Sequence, residues 1–154
     1  MLEKFYYKSP IGILEISLGY NVVLGLKVVK NYVKNAEPTD FFTNVATQLD
    51  EYFAGSRKLF NLQIQPKGTK FQIKVWDELI KIPYGETKSY QEIAEIIGNP
   101  NAQRAVGSAC NKNPILLIIP CHRVIAKSGK LTGFAYGLDI KKHLLKLENI
   151  NRTQ

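Results

Sequence analysis

The sequence has 154 residues, of which 45% are apolar and 22% are charged, and its net charge is +8. This length suits one sizeable core or two small subdomains, and the composition is that of an ordinary globular protein. No apolar stretch approaches a membrane-spanning length, and the first residues do not resemble a secretory signal. We therefore expect a cytoplasmic protein without a membrane partner.

Cysteine and histidine are scarce, with two of each in the chain. Two cysteines exclude a disulfide scaffold, and the low count of both residue types argues against a structural zinc site. We expect no metal and no cofactor. The basic charge fits a nucleic-acid partner through phosphate neutralisation, although a generally lysine-rich surface gives the same net charge.

The first third of the chain has the pattern of a small antiparallel sheet followed by a helix. Strands are predicted at residues 5–7, 11–18 and 22–29, and a helix at about 40–54. A connector containing Pro66 and Gly68 follows, and the pattern then becomes mostly helical. The sequence predicts a mixed α/β (α+β) fold with an N-terminal domain at residues 1–65 and a C-terminal domain at 69–154.

Two capping signals and a tight turn organise the helices of the second part. Thr69 is placed to cap a helix that runs to about residue 81, and Ser89 with Glu92 matches a capping box. A turn at residues 99–101 separates that second helix from a third at about 102–111, which predicts a helix-turn-helix. The third helix is rich in Ala and Gly, and Arg104 is its long cation. Small side chains permit close approach either to a neighbouring element or to a nucleic acid.

The segment from Asn113 to Val124 joins a short apolar run to a thiol and an imidazole. The run is predicted to be buried and extended, and it ends at Pro120. A neighbouring imidazole lowers the pKa of a thiol and makes Cys121 a candidate nucleophile beside His122. Adjacent side chains often diverge, so a structural Cys beside a satisfied His explains these residues equally well.

The remaining segments are a predicted hairpin at residues 123–131, a glycine-bracketed loop at 132–137 and an amphipathic helix at about 139–149. Ile140, Leu144 and Leu147 are predicted to face inward on that helix. Glu148 lies near its end and could return to His122, although a solvated carboxylate at a helix end explains it as well.

Four short motifs now resemble one known family in their order and spacing. They are Arg104-Ala105-Val106-Gly107, Asn113-Pro114, Pro120-Cys121-His122-Arg123-Val124 and Gly129-Lys130-Leu131-Thr132-Gly133. Together they are similar to O6-alkylguanine-DNA alkyltransferase, and the resemblance extends over about residues 69–148. The first third is compatible with the variable first domain of that family.

The resemblance implies a DNA-repair enzyme in which Cys121 takes the alkyl group from O6-alkylguanine, or from O4-alkylthymine, and is inactivated by doing so. It implies that His122 is the base, acting through a water, and that Glu148 orients its imidazole. Asn113 would brace the turn before the Cys segment, and the hydroxyl of Tyr90 would donate a hydrogen bond to the departing guanine. The family pattern also implies a monomer.

The resemblance further implies that the partner is double-stranded DNA, from which the damaged base is flipped through the minor groove. Arg104 would fill the gap in the duplex, and Gln91, Asn99 and Ala102 would lie near the DNA. The implied substrate pocket is bordered by Tyr90 and by five further residues, namely Val124, Phe134, Ala135, Tyr136 and Cys110. A bulky Tyr136 stands where many relatives have Gly, so we expect a narrower pocket that disfavours large adducts.

Three other functions compete with repair at this stage. A non-catalytic sensor of alkylated bases would lack the acceptor Cys121. A helix-turn-helix regulator leaves the adjacent Cys and His unexplained. A thiol hydrolase would show multiple turnovers, whereas an alkyl acceptor reacts once.

Overall fold

The structure, a computed structural model, describes residues 2–131 and 133–152. The chain forms two compact units, Met1–Pro66 and Lys67–Gln154. The predicted mixed α/β fold is confirmed, with an antiparallel sheet in the first unit and mostly helices in the second.

The first unit is a three-stranded antiparallel sheet with a helix packed on it. Strands β1 (Glu3–Ser9), β2 (Gly12–Gly19) and β3 (Val22–Val29) follow one another in sheet order and in sequence. Alternate β2 side chains, Leu14, Ile16 and Leu18, are buried, as expected for a sheet covered on one face. Helix α1 (Asp40–Phe53) lies where a helix was predicted, Thr39 is its N-cap, and its Phe42 ring stacks on Phe5 with centroids 4.3 Å apart.

Among the described residues of the second unit there are four α-helices. They are α2 (Lys70–Ile80), α3 (Tyr90–Ile96), α4 (Gln103–Asn111) and α5 (Leu138–Asn151). Both predicted caps are present, since Thr69 and Ser89 each form a complete capping box. The indole N–H of Trp76 donates to the Ala109 carbonyl at 2.8 Å and ties α2 to α4.

Helices α3 and α4 form the predicted helix-turn-helix. The α3 N-cap belongs to strand β4 (Lys88–Ser89), which pairs in parallel with β5 (Val124–Ile125). Because β5 directly follows the Cys121-His122-Arg123 segment, this pairing places the start of α3 beside the residues that carry the thiol and the imidazole.

Two local predictions were wrong. Residues 123–131 do not form a hairpin, because β5 pairs with β4 and only a turn follows it. The apolar run is buried but not extended, since Leu116 bridges Ile119 and Leu117 adopts a left-handed backbone with φ of 73°. A leucine in that conformation is uncommon, and leucine is not one of the residue types that indicate a turn.

Thr132, part of one of the motifs quoted above, lies outside the described residues. No helix within residues 2–131 and 133–152 is long and apolar enough to cross a membrane.

Candidate active site

Cys121 begins a single turn of 3-10 helix, Cys121–Arg123, at the end of the buried apolar turn. Its backbone N–H donates to the Ile119 carbonyl at 2.8 Å, and the residue is only 5% exposed. The tight turn at Leu116–Ile119 therefore fixes where the thiol lies within the core.

Asn113 connects the end of α4 to the thiol through its side-chain amide. Its Nδ2 donates to the Ile119 carbonyl at 2.7 Å and to Sγ of Cys121 at 3.2 Å, while its Oδ1 accepts from the Ile115 N–H at 2.9 Å. The sequence assigned Asn113 a bracing role, and these three bonds span the turn. The direct contact with Sγ adds a hydrogen-bond donor that stabilises a thiolate.

His122 is fully buried and faces the carboxylate that the sequence proposed as its partner. Its Nε2 lies 2.6 Å from Oε2 of Glu148, and both residues are at most 1% exposed. Within the described residues the other ring nitrogen, Nδ1, is buried without a hydrogen-bond partner. Burial lowers the pKa of His122 despite the neighbouring carboxylate, so the imidazole is neutral and able to accept a proton.

Arg123 is a site residue to which the sequence gave no role. Its Nε and Nη2 donate to Glu148 at 2.8 and 3.1 Å, and its Nη1 donates to the Ile82 carbonyl at 2.7 Å. Burial alone would raise the pKa of Glu148, but the hydrogen bond from His122 and the hydrogen bonds and charge of Arg123 outweigh it and hold that pKa well below its usual value. Glu148 is therefore an ionised carboxylate inside the core.

Lys141 is the second residue that the sequence missed. It is 1% exposed, and its Nζ donates to the Val124 carbonyl at 2.6 Å and lies 3.5 Å from the Tyr90 hydroxyl. The signal was present in the sequence, because Lys141 and Glu148 lie three residues before and four residues after the buried Leu144. That spacing places all three on one stripe of α5.

The electrostatics of the site favour a thiol that is activated only when it reacts. Burial raises the pKa of Cys121 to about 11, while the Asn113 amide and the Lys141 charge act in the opposite direction. Burial also lowers the pKa of Lys141 and raises that of the second buried thiol, Cys110. A protonated Cys121 beside a neutral His122 requires proton removal during the reaction.

A cavity of about 270 Å³ lies between the helix-turn-helix and the loop that precedes α5. It is lined by Tyr90, by Gly133 and by four residues along α4, namely Gln103, Arg104, Gly107 and Asn111. A methyl group added at Gly107 would lie 3.8 Å from the Tyr90 ring, which is an ordinary contact distance. The absence of a side chain at Gly107 therefore leaves more open space beside Tyr90.

The other residues implied by the resemblance fall into two groups. In the helix-turn-helix, the Gln91 amide donates to Glu95 and to the Pro100 carbonyl, and Asn99 and Ala102 form the turn before α4. In the implied pocket, Cys110 and Val124 are buried, Ala135 is exposed, and Phe134 packs edge-on against Tyr136 with centroids 6.0 Å apart. Their contact with a substrate stays a prediction.

Among the residues that the structure describes, no group of three or more His, Cys, Asp or Glu side chains is arranged to hold a metal ion. The two cysteines are both free and buried.

Comparison with known proteins gives matches along nearly the whole chain. Residues 70–150 match the family described as 6-O-methylguanine DNA methyltransferase, DNA binding domain, and residues 2–66 match its ribonuclease-like domain. A methylated-DNA–protein-cysteine methyltransferase of Methanosarcina acetivorans is 51% identical, covering 92% of this chain and 95% of its own. The protein of that name in Mycolicibacterium paratuberculosis is 45% identical, covering 96% and 93%.

Solved structures agree with this assignment. The O6-methylguanine methyltransferase of Mycobacterium tuberculosis superposes with a TM-score of 0.89 at 42% identity, covering 98% of this chain and 94% of its own. A structure of the same organism's OGT in complex with DNA gives a TM-score of 0.88 at 43% identity, covering 96% and 93%. The chain therefore belongs to the 6-O-methylguanine DNA methyltransferase family.

Proposed function

We propose that the protein repairs double-stranded DNA by moving the alkyl group of O6-alkylguanine, and of O4-alkylthymine, onto Sγ of Cys121. Its family establishes the reaction class, DNA repair by alkyl transfer to a protein cysteine. The observation that carries the residue assignment is the buried row of Cys121, His122 and Glu148, with a hydrogen bond of 2.6 Å between the last two.

The reaction is an in-line displacement. Sγ of Cys121 forms a bond to the alkyl carbon, the bond from that carbon to O6 breaks, and its electron pair stays on the guanine. The thiol proton passes to His122 through a water, the guanine anion takes up a proton on its ring from water, and His122 returns its proton to water, so protons and charge balance. The Tyr90 hydroxyl donates a hydrogen bond to the guanine as negative charge develops there.

Lys141 supports both partners of this displacement. Its charge stabilises the thiolate that forms on Cys121, and its Nζ lies 3.5 Å from the Tyr90 hydroxyl and 5.7 Å from the centre of that ring. A cation at this position strengthens the hydroxyl as a hydrogen-bond donor to the anionic guanine. Lys141 therefore links activation of the nucleophile to departure of the base.

The product is a thioether, which none of the groups around Cys121 can hydrolyse, so each molecule reacts once. With a tenfold excess of duplex carrying O6-methylguanine, we expect repaired guanine to stop at one equivalent of protein. Cys121→Ala should bind the duplex and repair none of it. Continued release of product beyond one equivalent would overturn single use and favour a hydrolase, and binding without repair by the wild type would favour a sensor.

The DNA-binding surface is proposed to be the helix-turn-helix, with α4 in the minor groove. Residues 67–154 carry 14 of the 21 Lys and Arg residues but only 7 of the 13 Asp and Glu residues, so the positive charge is concentrated in this part of the chain. Arg104 is exposed on α4, beside the cavity and close to Gly107. An exposed guanidinium on a helix of small residues suits the space left by a flipped base.

Replacing Arg104 by alanine is expected to slow repair of duplex DNA by about tenfold to a hundredfold, because the lost side chain offsets part of a base-flipping cost of a few kcal/mol. Reaction with free O6-methylguanine base should be unchanged, since no duplex is opened. Single-turnover rates on both substrates check this. Lys112→Ala, which removes an exposed cation beyond the end of α4, is the control. Equal losses of the single-turnover rate on duplex DNA and on free base would contradict a role of Arg104 in base flipping.

We also propose that the protein acts as a monomer in the cytoplasm. A reducing compartment keeps Cys110 and Cys121 as the free thiols that the structure shows, and the reaction needs Cys121 in that form. Light scattering during size-exclusion chromatography should give one species near 17.4 kDa, and a stable dimer mass would contradict the proposal.

A further inference from the structure

We propose that Arg123 is a positioning residue that keeps His122 neutral and fixes its tautomer by sharing the carboxylate of Glu148. The inference rests on the proposed role of His122 as the base. It concerns a side chain that touches neither the thiol nor the DNA base in the reaction described above.

The carboxylate of Glu148 accepts hydrogen bonds at both of its oxygens. Its Oε2 accepts from Nε2 of His122 at 2.6 Å and from Nη2 of Arg123 at 3.1 Å. Its Oε1 accepts from Nε of Arg123 at 2.8 Å and from the Gly85 N–H at 3.3 Å. A carboxylate offers about four acceptor positions, and these hydrogen bonds from three residues engage both of its oxygens.

Arg123 is held in place by further contacts of its guanidinium. Its Nη1 donates to the Ile82 carbonyl at 2.7 Å, its guanidinium lies 5.8 Å from the centre of the Tyr84 ring, and the residue is 7% exposed. The two parallel hydrogen bonds to Glu148 have the fork geometry that only arginine provides. The orientation of the carboxylate is thus set by Arg123 as well as by α5.

The charge of Arg123 affects the protonation state of His122. A bare buried carboxylate stabilises an imidazolium, and an imidazolium cannot act as a base. The permanent charge of Arg123 compensates that carboxylate, so the imidazole faces an ion pair. The Nε2–H then points at Glu148, and the lone pair stays on Nδ1, the nitrogen without a hydrogen-bond partner among the described residues.

The charges around His122 act in both directions. From α5 it is influenced by Glu148, which favours the imidazolium, and by Lys141, which disfavours it. Within its own turn Arg123 disfavours the imidazolium, and the neighbouring Cys121 thiol is protonated. Tyr84, from the turn after α2, adds no charge, because its pKa is raised by burial. Removing Arg123 while Glu148 remains shifts this balance toward the imidazolium.

The test is a titration of the two histidines by ¹⁵N NMR with labelled histidine. In the wild type we expect His122 to stay neutral, protonated on Nε2, and to titrate below the ordinary histidine pKa of about 6.5, with the signals of the second histidine assigned by His143→Gln. Arg123→Met should raise the midpoint of His122 by at least about one pH unit, whereas Arg123→Lys keeps the charge and should leave it within about half a unit. Arg57→Met is the matched control, since Arg57 forms a similar bond of 2.9 Å to Glu51 in the first unit.

A rate measurement connects the titration to repair. The pH at which the alkyl-transfer rate falls to half of its plateau should lie at least about one unit higher in Arg123→Met than in the wild type, because the rate follows the neutral fraction of His122. A uniform loss at all pH values would indicate a structural role only and overturn the proposal.

The outcomes are separable. An unmoved His122 midpoint in Arg123→Met, or an equal shift in Arg123→Lys, overturns the proposal. If Arg123→Met does not fold, the wild type and Arg123→Lys decide, since a wild-type His122 that titrates at or above the ordinary value of about 6.5 also overturns the proposal. The titration needs no DNA, so absence of alkyl transfer by the wild type would refute the proposed function without bearing on the histidine midpoints.

Discussion

Replacing Glu148 by alanine is expected to lower the free energy of unfolding by about 3–5 kcal/mol, the usual cost of leaving the partner of a buried ion pair uncompensated. Arg123 would stay buried without its carboxylate, and the Nε2–H of His122 would lose its acceptor. Alkyl transfer should fall in parallel, because the imidazole is then free to rotate and to change tautomer.

Urea unfolding followed by the fluorescence of Trp76 measures this cost. Trp76 is the single tryptophan, it is buried, and it belongs to the same unit as Glu148. Glu78→Ala is the control, since Glu78 forms a surface ion pair of 3.0 Å with Lys81 on α2 and should change stability by less than about 1 kcal/mol. Similar losses of unfolding free energy in the two variants would contradict the account of Glu148 as the carboxylate of a buried ion pair.

The same comparison has a defined dependence on pH. The pKa of Glu148 is lower in the folded protein than in the unfolded chain, so its stabilisation is present above the usual glutamate pKa of about 4.3 and fades as the pH falls below it. The difference in stability between wild type and Glu148→Ala should therefore shrink in acid. A stability difference between the two proteins that grows as the pH falls would contradict a lowered pKa of Glu148 in the folded state.

Replacing Lys141 by methionine is expected to slow alkyl transfer by about tenfold or more. The pKa of Cys121 is raised by burial to about 11, and Lys141 is one of the groups that limit this rise. Without the buried cation the pKa of Cys121 rises further, and each additional unit removes about nine parts in ten of the small thiolate population. The hydroxyl of Tyr90 also loses the neighbouring charge that favours its hydrogen bond to the leaving guanine.

The rate of Cys121 labelling by iodoacetamide as a function of pH checks the thiol directly, with Cys110→Ser as the background. The wild-type rate should climb from neutral pH toward 11 without an earlier plateau, and the Lys141→Met curve should lie at higher pH. Lys142→Met removes the adjacent, exposed lysine of α5 and should match the wild type. Coincident curves for Lys141→Met and Lys142→Met would show that the buried charge does not act on the thiol.

Local signals explain which parts of the fold were predictable. The capping boxes at Thr69 and Ser89 depend on residues three positions apart, so they can be read directly from the sequence. The turn at Leu117 cannot, because an apolar residue in a left-handed conformation is stabilised by the burial around it and not by its own preference. The parallel pairing of β4 with β5 likewise joins segments that are distant in sequence.

The site divides in the same way. Motif resemblance implied the partnership of His122 and Glu148, and the structure brings them together at 2.6 Å. It did not imply a role for Arg123, whose partner lies 25 residues further along the chain. Lys141 was missed because a lysine on the stripe of Leu144 and Glu148 is expected to be exposed. Of the residues predicted to face inward, Leu144 is buried, whereas Ile140 and Leu147 are only half-buried.

The central claim is that Cys121 is the single acceptor of the alkyl group, and peptide mapping tests it most directly. After incubation with duplex DNA carrying O6-methylguanine, the intact mass should rise by one methyl group, and that group should map to Cys121, with Cys110 unmodified. Unmodified protein after complete repair, or a methyl group on Cys110 or elsewhere, would contradict this account of the site.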